Sequence, residues 1–165
     1  MTDAPMTPEQ LLAHLAGLGI DATTHRHAPA FTVEQGNAVW GAIPGVHCKN
    51  LFLKDAKQKL WLVVAPAERR VDLKTLPERI GSARLSFGSA ELLGRVLGVE
   101  PGSVTPFALV NDRDRAVTPV LDGWMMEQPL LNFHPLRNDM TTTIASADLR
   151  KFLAATGHVP EVVRL

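Results

Sequence analysis

The sequence has a single cysteine, no tyrosine, no long hydrophobic run and no net charge. Because Cys48 is the only cysteine, an internal disulfide and a four-cysteine zinc site are excluded, and redox chemistry is disfavoured. The longest apolar stretches, Leu60 to Ala67 and Val117 to Leu121, are far shorter than the roughly 20 residues that span a bilayer. The amino terminus, Met1 to Pro8, lacks the basic and then apolar pattern of a signal peptide. We therefore expect a cytoplasmic protein that does not associate with a membrane.

The charge is balanced overall, with 17 basic and 17 acidic residues. Domains that hold long nucleic acid by bulk electrostatics are usually strongly basic, so the balance argues against that class. The basic residues nevertheless concentrate between positions 49 and 95, as Lys49, Lys54, Lys57, Lys59, Arg69, Arg70, Lys74, Arg79, Arg84 and Arg95. This segment can meet a few phosphates, or it can be a solvated surface of mixed charge.

The chain of 165 residues is 45% hydrophobic, which is enough for one good core, so we expect residues 1–165 to form a single domain. A capping-box pattern at Thr7 to Gln10 predicts a helix that Gly17 and Gly19 end, and a second one at Thr32 to Gln35 predicts a short helix to about Trp40. Further helices are predicted from Asp72 to Ile80, with Asp72 as the cap, from Ser89 to Leu97, and from a cap at Ser146 to near Gly157.

Alternating and β-branched segments predict the strands. Leu51 to Leu53 and Leu60 to Ala65 flank a charged turn and predict a hairpin. The other predicted strands are Thr23 to His27, Thr105 to Asn111, Val117 to Leu121, Leu130 to His134 and Thr141 to Ala145. Strands and helices in this order predict an α/β or α+β domain, with a mixed or mostly antiparallel sheet and helices packed on it.

Ordinary catalytic patterns are absent. His25, His27, His47 and Cys48 lack the spacing of a zinc finger or a metalloprotease, so we expect no metal and no cofactor. Cys48 as a nucleophile would need a base, and the adjacent His47 would point to the other face of a strand, which favours an inert thiol. Neither a serine-hydrolase elbow nor a phosphate-binding loop is present.

Two segments do not resemble simple packing. Lys49 and Asn50 stand at the start of an otherwise apolar strand, although a solvated lysine would also account for that pattern. The segment Gly102-Ser103-Val104-Thr105-Pro106 is a glycine-started loop that leads into the predicted strand, although a plain turn would account for it as well.

Together these segments resemble the YbaK/prolyl-tRNA synthetase-associated domain family, the free-standing relatives of the editing insertion of bacterial prolyl-tRNA synthetases. In that family a lysine at the start of a strand precedes a Gly-x-x-x-Pro loop. The run from Lys49 to Asp55, the element Arg84 to Phe87 and the late Asn132 to Pro135 are most similar to the branch that removes alanine from tRNA(Pro). The cysteine-clearing branch usually carries threonine after the lysine, so Asn50 favours the alanine branch. The resemblance extends from about Thr7 to Leu153.

The resemblance implies a hydrolase, an aminoacyl-tRNA deacylase that cleaves the ester of mischarged Ala-tRNA(Pro). Such an ester is activated, so the enzyme has mainly to place a water and stabilise an oxyanion. The backbone amides of Gly102, Ser103, Val104 and Thr105 suit that role, because glycine allows a close approach. Lys49 would hold the terminal adenosine phosphate or the substrate carbonyl, and Asn50 the sugar or the ester.

Selection of alanine over proline requires a small pocket. The candidate substrate-binding residues are Asn50, Phe31, Ile43, Val46, Pro106 and His134, although the apolar ones can equally be core. The candidate tRNA contacts are Lys54, Arg79 and Arg84. The expected partners are the acceptor end of mischarged tRNA(Pro) and, transiently, prolyl-tRNA synthetase.

Three alternatives stay open. The substrate can be Cys-tRNA(Pro) or another aminoacyl-tRNA, or the chain can assist a synthetase without activity of its own. From a different class, the chain can be a non-catalytic nucleic-acid-binding module. That module requires aromatic side chains on an exposed sheet, whereas the phenylalanines and tryptophans of this chain lie mostly in apolar runs.

Overall fold

A computed structural model describes residues 4–29 and 43–165. Its strands are β1 (Thr23–Arg26), β2 (Val46–Asp55), β3 (Leu60–Pro66), β4 (Leu85–Phe87), β5 (Val117–Asp122), β6 (Leu130–Phe133), β7 (Met140–Ala145) and β8 (Glu161–Val163). Its helices are α1 (Pro8–Gly17), α2 (Leu76–Ile80), α3 (Ala90–Leu97), a 3₁₀ helix (Pro106–Asn111), α4 (Gly123–Met126) and α5 (Ser146–Thr156). No helix within these residues is long and apolar enough to cross a membrane.

The strands form one mixed sheet in the order β1-β7-β6-β2-β3-β5-β8, with β4 also paired to β2. The antiparallel partner β3 covers one edge of β2 from Cys48 to Lys54. On the other edge, β6 runs parallel to β2 at Val46 and His47, and β4 runs antiparallel to it from Leu53 to Asp55. Within the described residues, 48–51 therefore have no backbone partner on that second edge, which we call the open edge of β2, and the Phe52 carbonyl accepts from the Gly88 amide.

Side chains along the central strands point alternately to the two faces of the sheet, and each face carries its own hydrophobic core. The major core lies under α1, α3, α5 and the 3₁₀ helix, and β2 and β3 contribute Phe52, Leu62 and Val64 to it. The minor core lies on the opposite face of the sheet, where Leu53, Trp61 and Val63 pack with Leu76 and Ile80 of α2. Side chains at even positions of β2 thus face the major core and those at odd positions face the minor core.

The tight turn between β2 and β3 is organised by the buried carboxylate of Asp55. One oxygen accepts from the backbone N–H groups of Lys57 and Lys59 at 2.9 and 3.0 Å, and the other accepts from Trp61 Nε1 at 3.2 Å. Burial alone would raise the pKa of Asp55, but these hydrogen bonds and one from the Ala83 amide outweigh it and lower the pKa. The hairpin is the predicted one, and its charged turn fixes the register of the site strand.

Most of the predicted elements are confirmed, including the Thr7 capping box of α1, the hairpin and the Ser89-capped helix α3. The predicted strand from Thr105 to Asn111 is wrong, because this segment is the 3₁₀ helix. Pro106 supplies a helical φ at its first position, and the Thr105 hydroxyl accepts from the Phe107 amide at 3.3 Å. The loop therefore leads into a helical turn rather than a strand.

Two predicted helix starts also differ. The segment beginning at Asp72 is helical only as α2, because the Asp72 carboxylate binds the Lys74 amide at 3.0 Å in a local turn rather than capping a helix. Helix α5 begins at Ser146 itself, with Ala145 in the cap position, so Ser146 is not the cap. The sequence did not predict β4, α4 or β8, each of which is four residues or shorter. The helix predicted from Thr32 lies outside the described residues.

Candidate functional site

At the open edge of β2 a narrow crevice separates this strand from the end of β6. It is lined by His47, Cys48, Asn50, Asn132, Phe133, His134 and Thr141. Inside the crevice, the centre of a water molecule can occupy a volume of about 10 Å³. That is roughly the space that one water requires. We call it the β2–β6 crevice.

The Asn50 side chain brings an unpaired acceptor to this crevice. Its Oδ1 is buried and has no hydrogen-bond partner in the structure as described. Asn132, which lines the same crevice, is satisfied, because its Nδ2 donates to the Pro44 carbonyl at 2.9 Å and its Oδ1 accepts from the Thr143 hydroxyl. A buried unpaired acceptor costs about 1–3 kcal/mol, and this oxygen has the capacity to accept a hydrogen bond from a donor in the crevice.

The His134 ring is held in one tautomer. Its Nδ1 lies 2.9 Å from the Met140 carbonyl oxygen, which can only accept, so Nδ1 carries the hydrogen and Nε2 keeps a lone pair in the neutral ring. Burial lowers the pKa of His134, and the neighbouring His27 lowers it further, against the opposing effects of the Met140 carbonyl and Asp139. The ring is therefore neutral at physiological pH and can accept a proton or a hydrogen bond through Nε2.

His27 holds the backbone that orients His134. Its N–H donates to the Asp139 carbonyl at 2.9 Å, and its ring Nε2 lies 2.7 Å from the Thr141 hydroxyl. These two bonds flank Met140, whose carbonyl fixes the His134 tautomer. The centroids of the two histidine rings are 6.4 Å apart. The sequence presented His27 only as a weak zinc candidate, because nothing in the local pattern connects it to residues more than a hundred positions away.

Lys49 lies on the other face of β2 from Cys48 and Asn50. Its backbone is paired with Ala65 on β3, and its side chain is half-buried. Partial burial lowers the pKa of Lys49. Across residues 4–29 and 43–165 the ammonium has no ion pair or hydrogen bond to another side chain, so it is a cation at a strand edge that can bind a phosphate or polarise a carbonyl.

Cys48 is packed as an inert thiol. Its Sγ lies 3.5 Å from Met125 Sδ and 3.6 Å from the Val46 carbonyl oxygen. Burial raises the pKa of Cys48 to about 12, with a smaller contribution from the negative charge of Asp122. The thiolate that a nucleophile or a metal ligand requires is therefore disfavoured at neutral pH. The described residues also contain no group of three histidine, cysteine or acidic side chains arranged to hold a metal ion.

The glycine-started loop has fewer free backbone amides than the sequence suggested. Gly102 has a φ of +91° and is exposed, so glycine is required for this turn. The Ser103 amide donates to the Glu100 carbonyl at 3.0 Å, so it cannot also serve an oxyanion. The amides of Gly102, Val104 and Thr105 have no acceptor in the part of the chain that the structure describes, although Thr105 is fully buried.

The loop and the crevice lie on neighbouring elements. Phe107, which follows Pro106, packs edge-on against Phe133 with ring centroids 5.8 Å apart, and Phe133 lines the crevice. Ser103 shares a surface hollow of about 420 Å³ with Arg137 and Asp139, the turn that follows His134. No hydrogen bond among the described residues joins the loop directly to Lys49 or Asn50.

The remaining predicted substrate-binding residues are mostly structural neighbours of this site. Val46 is half-buried against the major core and pairs with Leu131, and the Ile43 carbonyl lies 3.2 Å from His47 Nε2. Pro106 is buried at the start of the 3₁₀ helix. Phe31 lies outside the described residues.

The three predicted tRNA-binding residues do not form one surface. Lys54 faces the side of the sheet that carries α3, whereas Arg79 belongs to α2 on the opposite side. The Arg79 guanidinium also donates to the Arg164 carbonyl at 3.1 Å. Arg84 is exposed immediately before β4.

Comparison with known proteins defines the class of this site. Residues 27–152 match the family model of the aminoacyl-tRNA editing domain. A solved structure of a candidate trans-editing enzyme for prolyl-tRNA synthetase superimposes with a TM-score of 0.70 at 17% identity, covering 96% of each chain, and shows the same fold. The class is that of the aminoacyl-tRNA deacylases, which are hydrolases.

Two curated relatives narrow the assignment. The prolyl-tRNA editing protein ProX of Acetoanaerobium sticklandii is 34% identical over 158 residues, which are 95% of this chain and 96% of the relative. Prolyl-tRNA synthetase associated domain-containing protein 1 of Danio rerio is 37% identical over 157 residues, 94% of this chain and 85% of the relative. The chain belongs to the aminoacyl-tRNA editing domain family.

Proposed function

We propose that this protein hydrolyses the ester bond of mischarged tRNA(Pro), with alanine as the amino acid that it removes. The observation that carries the proposal is the buried, unpaired Oδ1 of Asn50 beside the neutral ring of His134 in the β2–β6 crevice. The similarity to ProX, whose name describes a prolyl-tRNA editing protein, supports tRNA(Pro) as the carrier. Asparagine after the site lysine is the pattern of the alanine-clearing branch.

We assign each of these groups a role in ester hydrolysis. Asn50 Oδ1 accepts from a hydroxyl of the terminal ribose or from the ammonium of the amino acid. Lys49 holds a phosphate or the ester carbonyl, and the free amides at Gly102 and Val104 stabilise the oxyanion that forms when water attacks. His134 Nε2 accepts a proton or a hydrogen bond from that water. The oxyanion then collapses and the C–O bond to the ribose breaks. The ribose oxygen takes up the proton that the water lost, which releases the free amino acid and the tRNA.

We assign the proposed preference for alanine to steric exclusion. A hydrophobic pocket rejects extra methylenes by clash, whereas a missing one costs little binding. The crevice next to Asn50 leaves about 10 Å³, a space that suits a water or a methyl group and not a prolyl ring. Cognate Pro-tRNA(Pro) is thereby protected from hydrolysis.

The test is a comparison of Ala-tRNA(Pro), Cys-tRNA(Pro) and Pro-tRNA(Pro) as substrates of the purified protein, with the released amino acid measured over time. We expect alanine to be released fastest and proline to be retained. Lys49→Ala should abolish or nearly abolish release while the protein stays folded, because this half-buried lysine of β2 adds little to the core. Lys57→Ala, in the exposed β2–β3 turn, is the matched control and should keep parental activity.

Each outcome tests a different part of the proposal. Full activity of a folded Lys49→Ala variant would remove Lys49 from the mechanism. Faster release of cysteine than of alanine would replace the substrate assignment and leave the deacylase class intact. Hydrolysis of Pro-tRNA(Pro) at the same rate would refute the steric filter.

A further inference from the structure

Thr141 of β7 brings a hydroxyl group to the β2–β6 crevice that the proposed reaction does not yet use. The residue is 2% exposed and lines the crevice together with Asn50 and His134. Its Oγ1 lies 2.7 Å from His27 Nε2, and no other side chain among residues 4–29 and 43–165 binds this oxygen. A hydroxyl has one hydrogen and two lone pairs, so what Thr141 offers to the crevice depends on where that hydrogen points.

The His27 ring fixes the direction of the Thr141 hydrogen. His27 Nδ1 lies 2.8 Å from the Ala28 carbonyl oxygen, which can only accept, so Nδ1 carries the hydrogen of the neutral ring. Nε2 then has a lone pair and accepts from the Thr141 hydroxyl. The Thr141 oxygen therefore keeps its lone pairs for a donor in the crevice.

The crevice presents a second acceptor of the same kind. His134 Nδ1 donates to the Met140 carbonyl, which leaves Nε2 as an acceptor. The Asn132 amide nitrogen donates to the Pro44 carbonyl at 2.9 Å and is also committed. A molecule with two hydrogens on one atom can bind Thr141 Oγ1 and His134 Nε2 together. The volume of the crevice matches one water, which is such a molecule.

We propose that Thr141 holds the attacking water and that His27 is a positioning residue that acts through Thr141. The inference rests on the proposed function, which assigns this water to His134. The water oxygen attacks the ester carbonyl while His134 Nε2 takes one hydrogen as a proton, which passes to the ribose oxygen when the C–O bond breaks. The second hydrogen stays on the attacking oxygen, bound to Thr141 Oγ1, and ends in the carboxyl group of the released amino acid. Two fixed hydrogens aim the lone pair of the water at the carbonyl carbon.

The first test removes the Thr141 hydroxyl without changing the shape of the side chain. Thr141→Val should lower kcat for Ala-tRNA(Pro) about tenfold to hundredfold and leave KM unchanged, because the water is misplaced while the substrate still binds. Thr141→Ser should restore the parental kcat. The matched control is Thr142→Val, at the next position of β7, which is equally buried and loses a hydroxyl bond of 2.8 Å to Thr24. It should keep the parental kcat, and thermal unfolding should show that all three variants are folded.

The second test asks whether His27 acts through Thr141. His27→Ala keeps the backbone amide that donates to Asp139 and removes only the ring, so the Thr141 hydroxyl becomes free to rotate. We expect kcat to fall about tenfold. His27→Gln should keep most activity, because its amide oxygen can accept from Thr141 in place of Nε2. The double variant His27→Ala/Thr141→Val should lie within about twofold of Thr141→Val alone, since the ring has no further effect once the hydroxyl is gone.

A third test separates the water from the ammonium group of the substrate, which could bind the same two acceptors. Propionyl-tRNA(Pro) keeps the ester but lacks the ammonium group. Thr141→Val should lower kcat by the same factor on this ester as on Ala-tRNA(Pro). A loss confined to Ala-tRNA(Pro) would make Thr141 an ammonium contact and overturn its role toward the water.

Other results also overturn the inference. Parental kcat in a folded Thr141→Val variant would refute it, and so would an equal loss in Thr142→Val, because that indicates a general effect of removing a buried hydroxyl from β7. Losses that multiply in the double variant would show that His27 acts by another route. If the parent protein hydrolyses neither ester, the proposed function fails and this inference fails with it, whereas an active parent with active variants refutes the inference alone.

Discussion

The unpaired acceptor of Asn50 predicts that stability and activity can be separated by one substitution. Asn50→Leu replaces the side chain by an apolar one of similar size and removes the buried oxygen that has no donor. Relief of that penalty should raise the free energy of unfolding by about 1–2 kcal/mol. For a chain of this size each kcal/mol raises Tm by roughly 2–4 °C. Hydrolysis should fall at least about tenfold, because the donor of the substrate loses its partner.

Asn132→Leu is the matched control, because Asn132 lies in the same crevice but is satisfied. Its loss leaves the Pro44 carbonyl and the Thr143 hydroxyl without their partner and should lower the free energy of unfolding by about 2–4 kcal/mol. Urea unfolding and thermal unfolding measure the stability of both variants, and single-turnover deacylation measures their activity. The reasoning is refuted if Asn50→Leu is as destabilised as Asn132→Leu, or if it keeps full activity.

Three further predictions concern the loop, the thiol and acid stability. Gly102→Val should lose most activity because φ is +91° there. The deacylation rate of Ser103→Ala should stay within about tenfold of the parent rate, because alanine keeps the backbone amide and its bond to Glu100 and removes only the hydroxyl; equal rates of the two variants would contradict this. The deacylation rate of Cys48→Ser should stay within about tenfold of the parent rate, which corresponds to about 1.4 kcal/mol of barrier. EDTA should leave the rate of the parent protein unchanged. An acyl-enzyme trapped on Cys48 would overturn the mechanism in which water attacks. Burial alone would raise the pKa of Asp112, but hydrogen bonds from His158 and two backbone amides lower it. The ionised form therefore stabilises the fold above about pH 4, and this contribution is lost as pH falls through the folded pKa. Urea unfolding at several pH values should show a smaller acid-induced loss in Asp112→Asn than in the parent, and parallel curves would refute this.

Local patterns were sufficient wherever a few consecutive residues fix the backbone. The Thr7 capping box, the Ser89 cap and the alternation on either side of the Asp55 turn each specify an element through neighbours in sequence, and each is present. Local patterns misled at Thr105 to Asn111. Its apolar run also suits a strand, but the proline and the threonine cap begin a 3₁₀ helix buried against Phe133 and Phe152.

The sequence by itself determined the family, because the motifs around Lys49 and Gly102 are short runs of residues that can be recognised without coordinates. Only the tertiary structure decided which polar atoms are paired. The unpaired Asn50 Oδ1 and the support of His134 by His27 depend on contacts between distant segments, whereas the Ser103 amide is occupied by a local turn with Glu100. Exposure of Phe87 was decided in the same way. A phenylalanine two residues after Leu85 in a short alternating run indicates core, but β4 is only three residues long and leaves the Phe87 ring exposed.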